Sequence, residues 1–241
     1  MTIVITMAGF GTRFKKAGYT VPKYQIVVHK KSLFEWSMES LAAFRRPEDA
    51  YLFIVRKEDQ SADFIREKCK IMGIDRCHII ELQDMTDGQA TTAMLGAEYW
   101  EKESPLLIYN IDTFVEAGEM RPEQFCGDGF IPCFCGEGDH WSFVRLGSKE
   151  KAEEVREKVR ISDYCTLGAY YFKTGGLYEK LYQEYYSKDS NMEKGEKYIA
   201  PLYNYLIQKG GEVRISVVDA GSVHVLGTPE ELDYFKEHYR K

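Results

Sequence analysis

The sequence predicts an α/β fold whose mainly parallel, Rossmann-like sheet is flanked by helices, and three observations support this prediction. Short apolar runs rich in β-branched residues, such as residues 3–5 and 50–55, alternate with longer amphipathic segments. These runs lack the alternation of polar and apolar residues, which indicates strands buried on both faces of a sheet. At 241 residues, the chain has room for one large domain with a substantial core.

The net charge and the hydropathy of the chain exclude several classes of partner. The net charge is −6 and the basic residues are spread along the chain, so the basic patch of a nucleic-acid-binding protein is missing. No apolar run approaches the roughly 20 residues that span a bilayer. No charged segment followed by an apolar one is visible before the first strand, so we expect no signal peptide. We therefore expect a cytoplasmic protein that binds small molecules, with neither a nucleic acid nor a membrane as partner.

The first strand leads into a loop that has the composition of an anion-binding site. Positions 9–13 read Gly-Phe-Gly-Thr-Arg, and Pro22 and Lys23 follow shortly after. Glycine brings backbone N–H groups close to a ligand, and the cations of Arg13 and Lys23 suit phosphate oxygens. Phe14 stands where a dinucleotide-binding fingerprint requires its third glycine, and the Gly-Lys-Ser/Thr of a P-loop is absent. The loop therefore predicts a phosphate site of another type.

The later strands are predicted from short apolar runs that have turn-forming residues at both ends. After the first strand, the predicted extended segments and strands cover residues 24–28, 50–55, 77–82, 105–109, 129–134, 141–145, 165–172 and 212–218. The charged segment 149–157 remains open between a solvated helix and a hairpin. Because most of these strands alternate with helices, we expect parallel pairing in much of the sheet.

Helices are predicted where apolar residues recur every three or four positions. They cover residues 32–46, 59–72, 90–100, 177–186, 198–208 and 229–239. Ser32 and Glu35 form a capping box at the start of the first helix, and the string Thr228-Pro229-Glu230-Glu231 begins the last one. The tyrosine-rich helix at 177–186 either packs inward or forms a face between copies in a homo-oligomer.

A carboxylate follows the strand predicted at residues 105–109. Ligands of open α/β sheets bind at the carboxyl ends of the strands, so Asp112 is a candidate metal ligand at that edge. A hard oxygen ligand suits Mg²⁺, which keeps several waters and bridges phosphates. An Asx turn that ends the strand is the structural alternative for Asp112.

The string Gly-x-Gly-Thr-Arg with the later Pro-Lys resembles the signature of the nucleotidyltransferases that make nucleoside-diphosphate sugars and related activated alcohols. The resemblance covers nearly the whole chain. It implies a single domain of the nucleotide-diphospho-sugar transferase type over residues 1–241. Residues 1–125 would mainly bind the nucleotide, and residues 126–241 would form a β-rich portion that mainly binds the acceptor. The implied reaction is attack by the phosphate of a phosphorylated sugar, polyol or small alcohol on the α-phosphorus of a nucleoside triphosphate, with release of pyrophosphate.

The resemblance also implies roles for individual residues. The residues implied to bind the nucleotide are Ala8, Gly9, Gly11, Thr12, Gln83, Gly88 and Ala90. Three residues are implied to be catalytic: Arg13 stabilises the leaving pyrophosphate, Lys23 neutralises charge on the α-phosphoryl group, and Asp112 holds Mg²⁺. The residues implied to bind the acceptor are Glu157, Lys158, Gly168 and Glu196.

The chain departs from the family pattern at one metal ligand. Many family members carry an aspartate two residues before a Gly-Thr, as a second ligand of the metal, and Val225 occupies that position here. Asp219 and His224 are two nearby candidates for the missing ligand, and the sequence does not decide between them. One protein carboxylate, completed by phosphates and waters, is also acceptable chemistry for Mg²⁺.

The nucleotide, the acceptor and the pathway follow less directly from the sequence. The length of the chain is similar to that of compact family members that use CTP, so CTP is slightly preferred over dTTP, UTP and GTP. A role in bacterial capsule or other cell-surface polysaccharide synthesis is the favoured setting. A metal-dependent glycosyltransferase of related architecture and a non-catalytic nucleotide-sensing domain remain as alternatives. The first lacks support because Asn110 stands where such enzymes carry the first carboxylate of an Asp-x-Asp.

Overall fold

The computed structural model describes residues 1–239, with the backbone alone at Lys149. The strands of this range are β1 Thr2–Thr6, β2 Val27–Val28, β3 Lys31–Ser32, β4 Ala50–Arg56, β5 Cys77–Leu82, β6 Leu106–Asn110, β7 Thr113–Val115, β8 Gly129–Cys135, β9 Ser142–Leu146, β10 Ala152–Glu157, β11 Tyr164–Thr166, β12 Ala169–Phe172, β13 Val213–Val218 and β14 Val223–Val225. The α-helices are α1 Thr12–Lys16, α2 Leu33–Glu39, α3 Ala62–Ile71, α4 Gln89–Met94, α5 Gly175–Tyr185, α6 Ala200–Gln208 and α7 Pro229–His238. Short 3₁₀ turns connect several of them.

One large sheet runs through the molecule and confirms the predicted α/β class. Its strand order is β10-β9-β11-β8-β12-β6-β1-β4-β5. The tenth strand, β13, pairs with β8 and is not part of this linear order. The strands β5, β4, β1 and β6 are parallel, with β1 between β4 and β6. From β12 to β10 the neighbouring strands are antiparallel, whereas β13 lies parallel to β8. The parallel part and the β-rich part therefore share one continuous sheet, joined where β12 pairs with β6.

Both faces of the parallel strands are buried, as the uniform apolar runs predict. Ile3 and Ile5 of β1 belong to the core cluster on one face, and Val4 belongs to the cluster on the other face. A third cluster joins α1, α2 and α7 through side chains that include Phe14, Trp36 and Phe235. This third cluster matters for the site, because it holds the short helix after the glycine loop and the start of α7 against the same part of the molecule.

Two regions of the β-rich part differ from or refine the sequence prediction. The charged segment that was open between a helix and a hairpin is β10, which pairs antiparallel with β9, so it is a hairpin. The single strand predicted over 165–172 is wrong, because the chain forms β11 and β12 with a break at Gly168. Gly168 has φ +74°, a left-handed conformation that interrupts a strand and that glycine adopts without strain.

The tyrosine-rich helix α5 packs inward. Tyr178 and Tyr186 are buried, and their hydroxyls donate to the carbonyls of Ala90 and Tyr198 at 2.7 and 2.5 Å. The Tyr182 hydroxyl lies 2.7 Å from that of Thr91. The helix therefore braces the start of α4 and the segment before α6. None of the helices in the described range is long and apolar enough to cross a membrane.

A tight backbone contact ties the loop before α4 to the segment before α6. The Ala90 N–H donates to the Lys197 carbonyl at 3.0 Å, and the Lys197 N–H donates to the Asp87 carbonyl at 2.7 Å. Gly88 lies between them with φ +139° and ψ 174°, a region essentially reserved for glycine. A Cβ at this position would lie 2.4 Å from the Lys197 carbonyl oxygen. Only glycine allows the two segments to approach this closely.

We predict that Gly88→Ala lowers the free energy of unfolding by about 2–4 kcal/mol, because it combines backbone strain with a clash against backbone atoms. The control is Gly73→Ala, which also has a positive φ (+70°) but open space around the missing Cβ. It should cost about 1 kcal/mol. Urea denaturation followed by circular dichroism measures both, and equal losses in the two variants would contradict the role of the contact with Lys197.

Candidate active site

The carboxyl ends of β1 and β6 meet at one edge of the sheet and form the floor of the site. Thr6 and Asn110, the last residues of these strands, are paired in register. The side-chain amide of Gln89 donates to the Thr6 hydroxyl at 3.1 Å and to the Asn110 side-chain oxygen. Gln89 is the first residue of α4 and was missed by the sequence analysis, which chose Gln83. Its position directly after Gly88 at a helix start is the signal that could have found it.

The glycine loop leaves β1 beside this floor. Gly11 has φ +61° in the left-handed region and precedes α1, whose Phe14 is buried in the third cluster. A Cβ at Gly9 would meet no heavy atom within 4 Å, so the loop borders open space. This arrangement suits a bound anion, because the backbone is held by Phe14 while one side of the loop stays free.

Lys23 and Asp112 form an ion pair above the floor. The Lys23 Nζ donates to Asp112 Oδ2 at 2.8 Å across 89 residues of sequence. Burial raises the pKa of Asp112, but the charge and hydrogen bond of Lys23, a backbone N–H and the charge of Arg13 outweigh it, so the pKa lies below its ordinary value. Asp112 is therefore an anion at neutral pH. The Lys23 ammonium lies at a position where the negative charge of Asp112 stabilises a cation.

Three adjoining clefts meet around this pair. One of about 260 Å³ is bordered by the glycine loop and Lys23. A second of about 310 Å³ shares Gly9 and Lys23 with the first and extends to Gly88. We call it the nucleotide cleft. A third of about 330 Å³ lies toward the β-rich part, and we call it the acceptor cleft. The residues that line both the nucleotide cleft and the acceptor cleft are Gln89, Asn110, Asp112 and Glu196.

Charged and aromatic side chains surround the acceptor cleft. Lys158, at its rim, donates to the Tyr198 hydroxyl at 3.1 Å and lies 3.3 Å from Glu157 Oε1. Burial alone would lower the pKa of Lys158, but the Tyr198 bond and the Glu157 charge raise it above the ordinary value, so the lysine stays cationic. Burial and a hydrogen bond to Glu196 raise the pKa of Tyr198, which stays protonated. Tyr198 is a second residue that the sequence analysis missed.

Gly168 positions the acceptor cleft against the floor of the site. Its carbonyl accepts the backbone N–H of Asn110 at 3.0 Å. A Cβ there would lie 2.6 Å from the Asn110 side-chain nitrogen. The break between β11 and β12 thus lets the β-rich part reach the carboxyl end of β6.

Comparison with solved structures finds the same architecture in proteins of one enzyme class. The nucleoside-diphosphate-sugar pyrophosphorylase from Vibrio cholerae RC9 superposes with a TM-score of 0.91 at 39% sequence identity, over 98% of this chain and 100% of that one. The chain belongs to this nucleotidyltransferase family. No protein-family model and no curated protein matches the chain.

Two more distant structures share the fold of this nucleotidyltransferase. A putative glucose-1-phosphate thymidylyltransferase from Bacillus anthracis, solved in complex with a sucrose, gives a TM-score of 0.79 at 15% identity. The inositol-1-phosphate CTP transferase from T. maritima gives 0.75 at 14% identity. In both cases the superposition covers 100% of this chain and 98% of the other. At such low identity these two comparisons support the fold alone.

The nucleotidyltransferase brings together most residues that the sequence analysis selected. The selected residues that line one or more of the three clefts are Ala8, Gly9, Gly11, Arg13, Lys23, Gly88, Asp112, Glu157, Gly168 and Glu196. Thr12 and Gln83 are exposed and line none of the three clefts, and Ala90 is fully buried in the core. Lys158 lines none of them either, but it contacts Glu157 and Tyr198 of the acceptor cleft. The roles selected for these residues stay predictions.

Neither nearby candidate for the second metal ligand lines the clefts that Asp112 lines. Asp219 accepts the Gly221 N–H at 2.8 Å in a turn. His224 lies 3.6 Å from Glu116 and stacks on Phe114. Val225 lines the acceptor cleft, as the resemblance to the family implies for that position.

We predict that Lys23 and Asp112 are energetically coupled. A double-mutant cycle with Lys23→Met and Asp112→Asn should give a coupling of about 1 kcal/mol at pH 7, because the pair is partly shielded from solvent. The folded pKa of Asp112 lies below the unfolded value of about 3.9. The stabilisation is therefore complete above that pH and is lost as the pH falls through the lower folded pKa.

Chemical denaturation of the four proteins between pH 7 and pH 3 measures this coupling. The exposed pair Asp63–Arg66, with 3.0 Å between its charged atoms, is the control and should give a few tenths of a kcal/mol. A coupling that grows on acidification would contradict the direction of the pKa shift.

Proposed function

We propose that this nucleotidyltransferase joins a nucleoside triphosphate to a phosphorylated sugar, polyol or small alcohol and releases pyrophosphate. The observation that carries the proposal is the position of Asp112, which borders the nucleotide cleft and the acceptor cleft at once. Lys23 contacts Asp112 and lines both the nucleotide cleft and the cleft at the glycine loop. A triphosphate in the first two clefts would thus present its α-phosphorus near the acceptor.

The proposed reaction is one displacement at phosphorus. A phosphate oxygen of the acceptor forms a bond to the α-phosphorus, the bond to the bridging oxygen of the β-phosphate breaks, and pyrophosphate leaves with its electron pair. The protein supplies no nucleophile; it positions the two phosphates and neutralises their charge. Lys23 is proposed to neutralise the α-phosphoryl group. Arg13 lines the acceptor cleft, and its charge acts on Asp112; we propose that it stabilises the leaving pyrophosphate.

Magnesium fits the donors at this position. Asp112 offers hard oxygen donors, and its pKa lies below the ordinary value, so the carboxylate is charged at neutral pH and suited to ligate a cation. Among the described residues, no group of three or more His, Cys, Asp and Glu side chains forms a metal site. This agrees with Mg²⁺, which is commonly held by one or two carboxylates with phosphates and waters. When bound, the ion would neutralise phosphate charge and orient the reacting phosphates.

The acceptor cleft has the chemistry for a phosphorylated small molecule with hydroxyl groups. Glu157, Glu196 and Tyr198 line it and offer hydrogen bonds. Lys158 is a cation in contact with Glu157 and Tyr198. We propose that Lys158 binds the incoming phosphate monoester and that the carboxylates bind hydroxyls of the acceptor body. CTP is the proposed nucleotide and bacterial surface-polysaccharide synthesis in the cytoplasm is the proposed setting, both on the sequence resemblance to compact cytidylyltransferases.

Mg²⁺-dependent pyrophosphate release tests the reaction. The purified protein is assayed with CTP, dTTP, UTP, GTP and ATP, each against a mixture of sugar-1-phosphates, polyol phosphates and phosphocholine-like esters. We expect release with one preferred triphosphate, abolished by EDTA and by Asp112→Ala. Lys23→Ala should lower turnover about 10²–10³-fold, as loss of one transition-state charge contact does.

The matched control for this assay is Lys16→Ala. Lys16 lies on α1 but is exposed and lines none of the three clefts. Its removal should leave turnover unchanged. Full activity of Lys23→Ala would contradict the role of Lys23. Stabilisation by a triphosphate without pyrophosphate release from any pair would favour the nucleotide-sensing alternative.

We also predict that Lys158→Met raises the KM for the acceptor about 10-fold or more and leaves the KM for the triphosphate unchanged. The physical reason is the loss of one charge-assisted contact to the acceptor phosphate. Lys180→Met, an exposed position on α5, is the control and should change neither constant. Initial rates with each substrate varied in turn separate the two effects. A rise in the KM for the triphosphate alone would show that Lys158 contacts the triphosphate and not the acceptor, and would contradict the prediction.

A further inference from the structure

Helix α7 begins beside the acceptor cleft, and its third residue is a glutamate that faces the cleft. Glu231 lines the acceptor cleft together with Asp112, Val225 and Gly227. The helix is held there by Leu232 and Phe235, which are buried in the third cluster. The segment before it is fixed to the site, because the Leu226 N–H donates to the Asp112 carbonyl at 2.8 Å.

Glu231 does not use its carboxylate to cap its own helix. Ser32 and Glu35 start α2 with the same spacing, and there both bonds of the capping box are formed. Thr228 accepts the backbone N–H of Glu231 at 3.2 Å, but the reciprocal bond from the Glu231 side chain is not formed. One local pattern therefore has two outcomes: the glutamate of α2 stays at its cap, and that of α7 is directed into the cleft.

One oxygen of this carboxylate is buried without a partner. Glu231 Oε2 is inaccessible to solvent and has no hydrogen-bond partner within the described part of the chain. Leaving a buried polar atom without a partner is unfavourable, and more so for a charged carboxylate than for a neutral group. A carboxylate oxygen that has no partner in the chain and borders a cleft is suited to a cation or a hydrogen-bond donor.

The orphan oxygen and the Asp112 carboxylate border the same small space. A Cβ on Gly227 would lie 3.5 Å from Glu231 Oε2 and 3.5 Å from Asp112 Oδ2. The glycine thus leaves room between two carboxylates that come from different elements. Two carboxylates on either side of an open space are the kind of donor set that holds a divalent cation with oxygen ligands.

We propose that Glu231 is the second carboxylate ligand of the magnesium site, in place of the aspartate that Val225 replaces. The proposal rests on the proposed function for the presence of the metal. Val225 and Glu231 line the same cleft, one at the end of β14 and the other in the first turn of α7. In this proposal Glu231, on the helix, supplies the metal ligand that the family aspartate at the position of Val225 supplies from the strand.

Metal binding without turnover tests the proposal. Mn²⁺ is titrated alone into the full-length protein, and the free ion is measured by its electron paramagnetic resonance signal. We expect Glu231→Gln to weaken Mn²⁺ binding by 10-fold or more. The cap bond to Thr228 uses the backbone N–H of residue 231, so the substitution leaves it in place. Glu230→Gln is the matched control: it removes the same charge from the same helix at an exposed position outside the acceptor cleft, and should change binding less than twofold.

Restoration by a second substitution separates a ligand from a general charge effect. In the Glu231→Gln protein, Val225→Asp should recover most of the lost Mn²⁺ affinity, because it returns a carboxylate to the family position. Thermal melting checks that all variants are folded. Equal Mn²⁺ binding by wild type and Glu231→Gln would overturn the proposal, and so would a wild type that binds no Mn²⁺ at millimolar concentration.

The pyrophosphate assay distinguishes this proposal from the proposed function. Pyrophosphate release with unchanged Mn²⁺ binding in Glu231→Gln would leave the reaction standing and remove Glu231 from the metal site. Glu231-dependent Mn²⁺ binding without release from any substrate pair would support the metal site and contradict the reaction. Loss of acceptor affinity with unchanged Mn²⁺ binding would assign the orphan oxygen to the acceptor instead.

Discussion

The ion pair between Lys23 and Asp112 is the interaction on which the site depends. It joins the segment after the glycine loop to the carboxyl end of β6. It also holds a cation and an anion together at the nucleotide cleft, which both residues line. Without a substrate, each charge is the other's counter-ion, so neither is left uncompensated in a partly buried place. Under the proposed function, a triphosphate with its metal would offer each charge a new partner, and the pair would then separate with its charges still compensated.

Close backbone approaches bring the β-rich part to this pair. Gly88 lets the loop before α4 contact Lys197, and Gly168 lets the break between β11 and β12 reach Asn110. Both positions have a positive φ, so the geometry of the nucleotide cleft at Gly88 and of the acceptor cleft at Gly168 depends on residues without a Cβ. The tyrosines of α5 and of the residue that follows it hydrogen-bond to the start of α4 and to Tyr198, so they support the same segments from the other side.

The acceptor side also shows how one residue type serves two purposes. At the start of α2 a glutamate closes a capping box, and at the start of α7 Glu231 leaves its cap and turns to the cleft. The cost is a carboxylate oxygen without a partner in the described chain. Sites of function are where such local costs are expected, since a ligand can supply the missing bond.

The sequence by itself determined the α/β class, the positions of most strands, the capping box at Ser32 and the glycine loop, because these follow from local periodicity and turn chemistry. The tertiary structure decided which side chains meet. Asp112 finds Lys23 across 89 residues, Gln89 rather than Gln83 joins the strand ends, and the predicted strand over 165–172 breaks at Gly168. Contacts of this kind depend on which strand ends become neighbours and how closely backbones approach, and a local pattern does not record either.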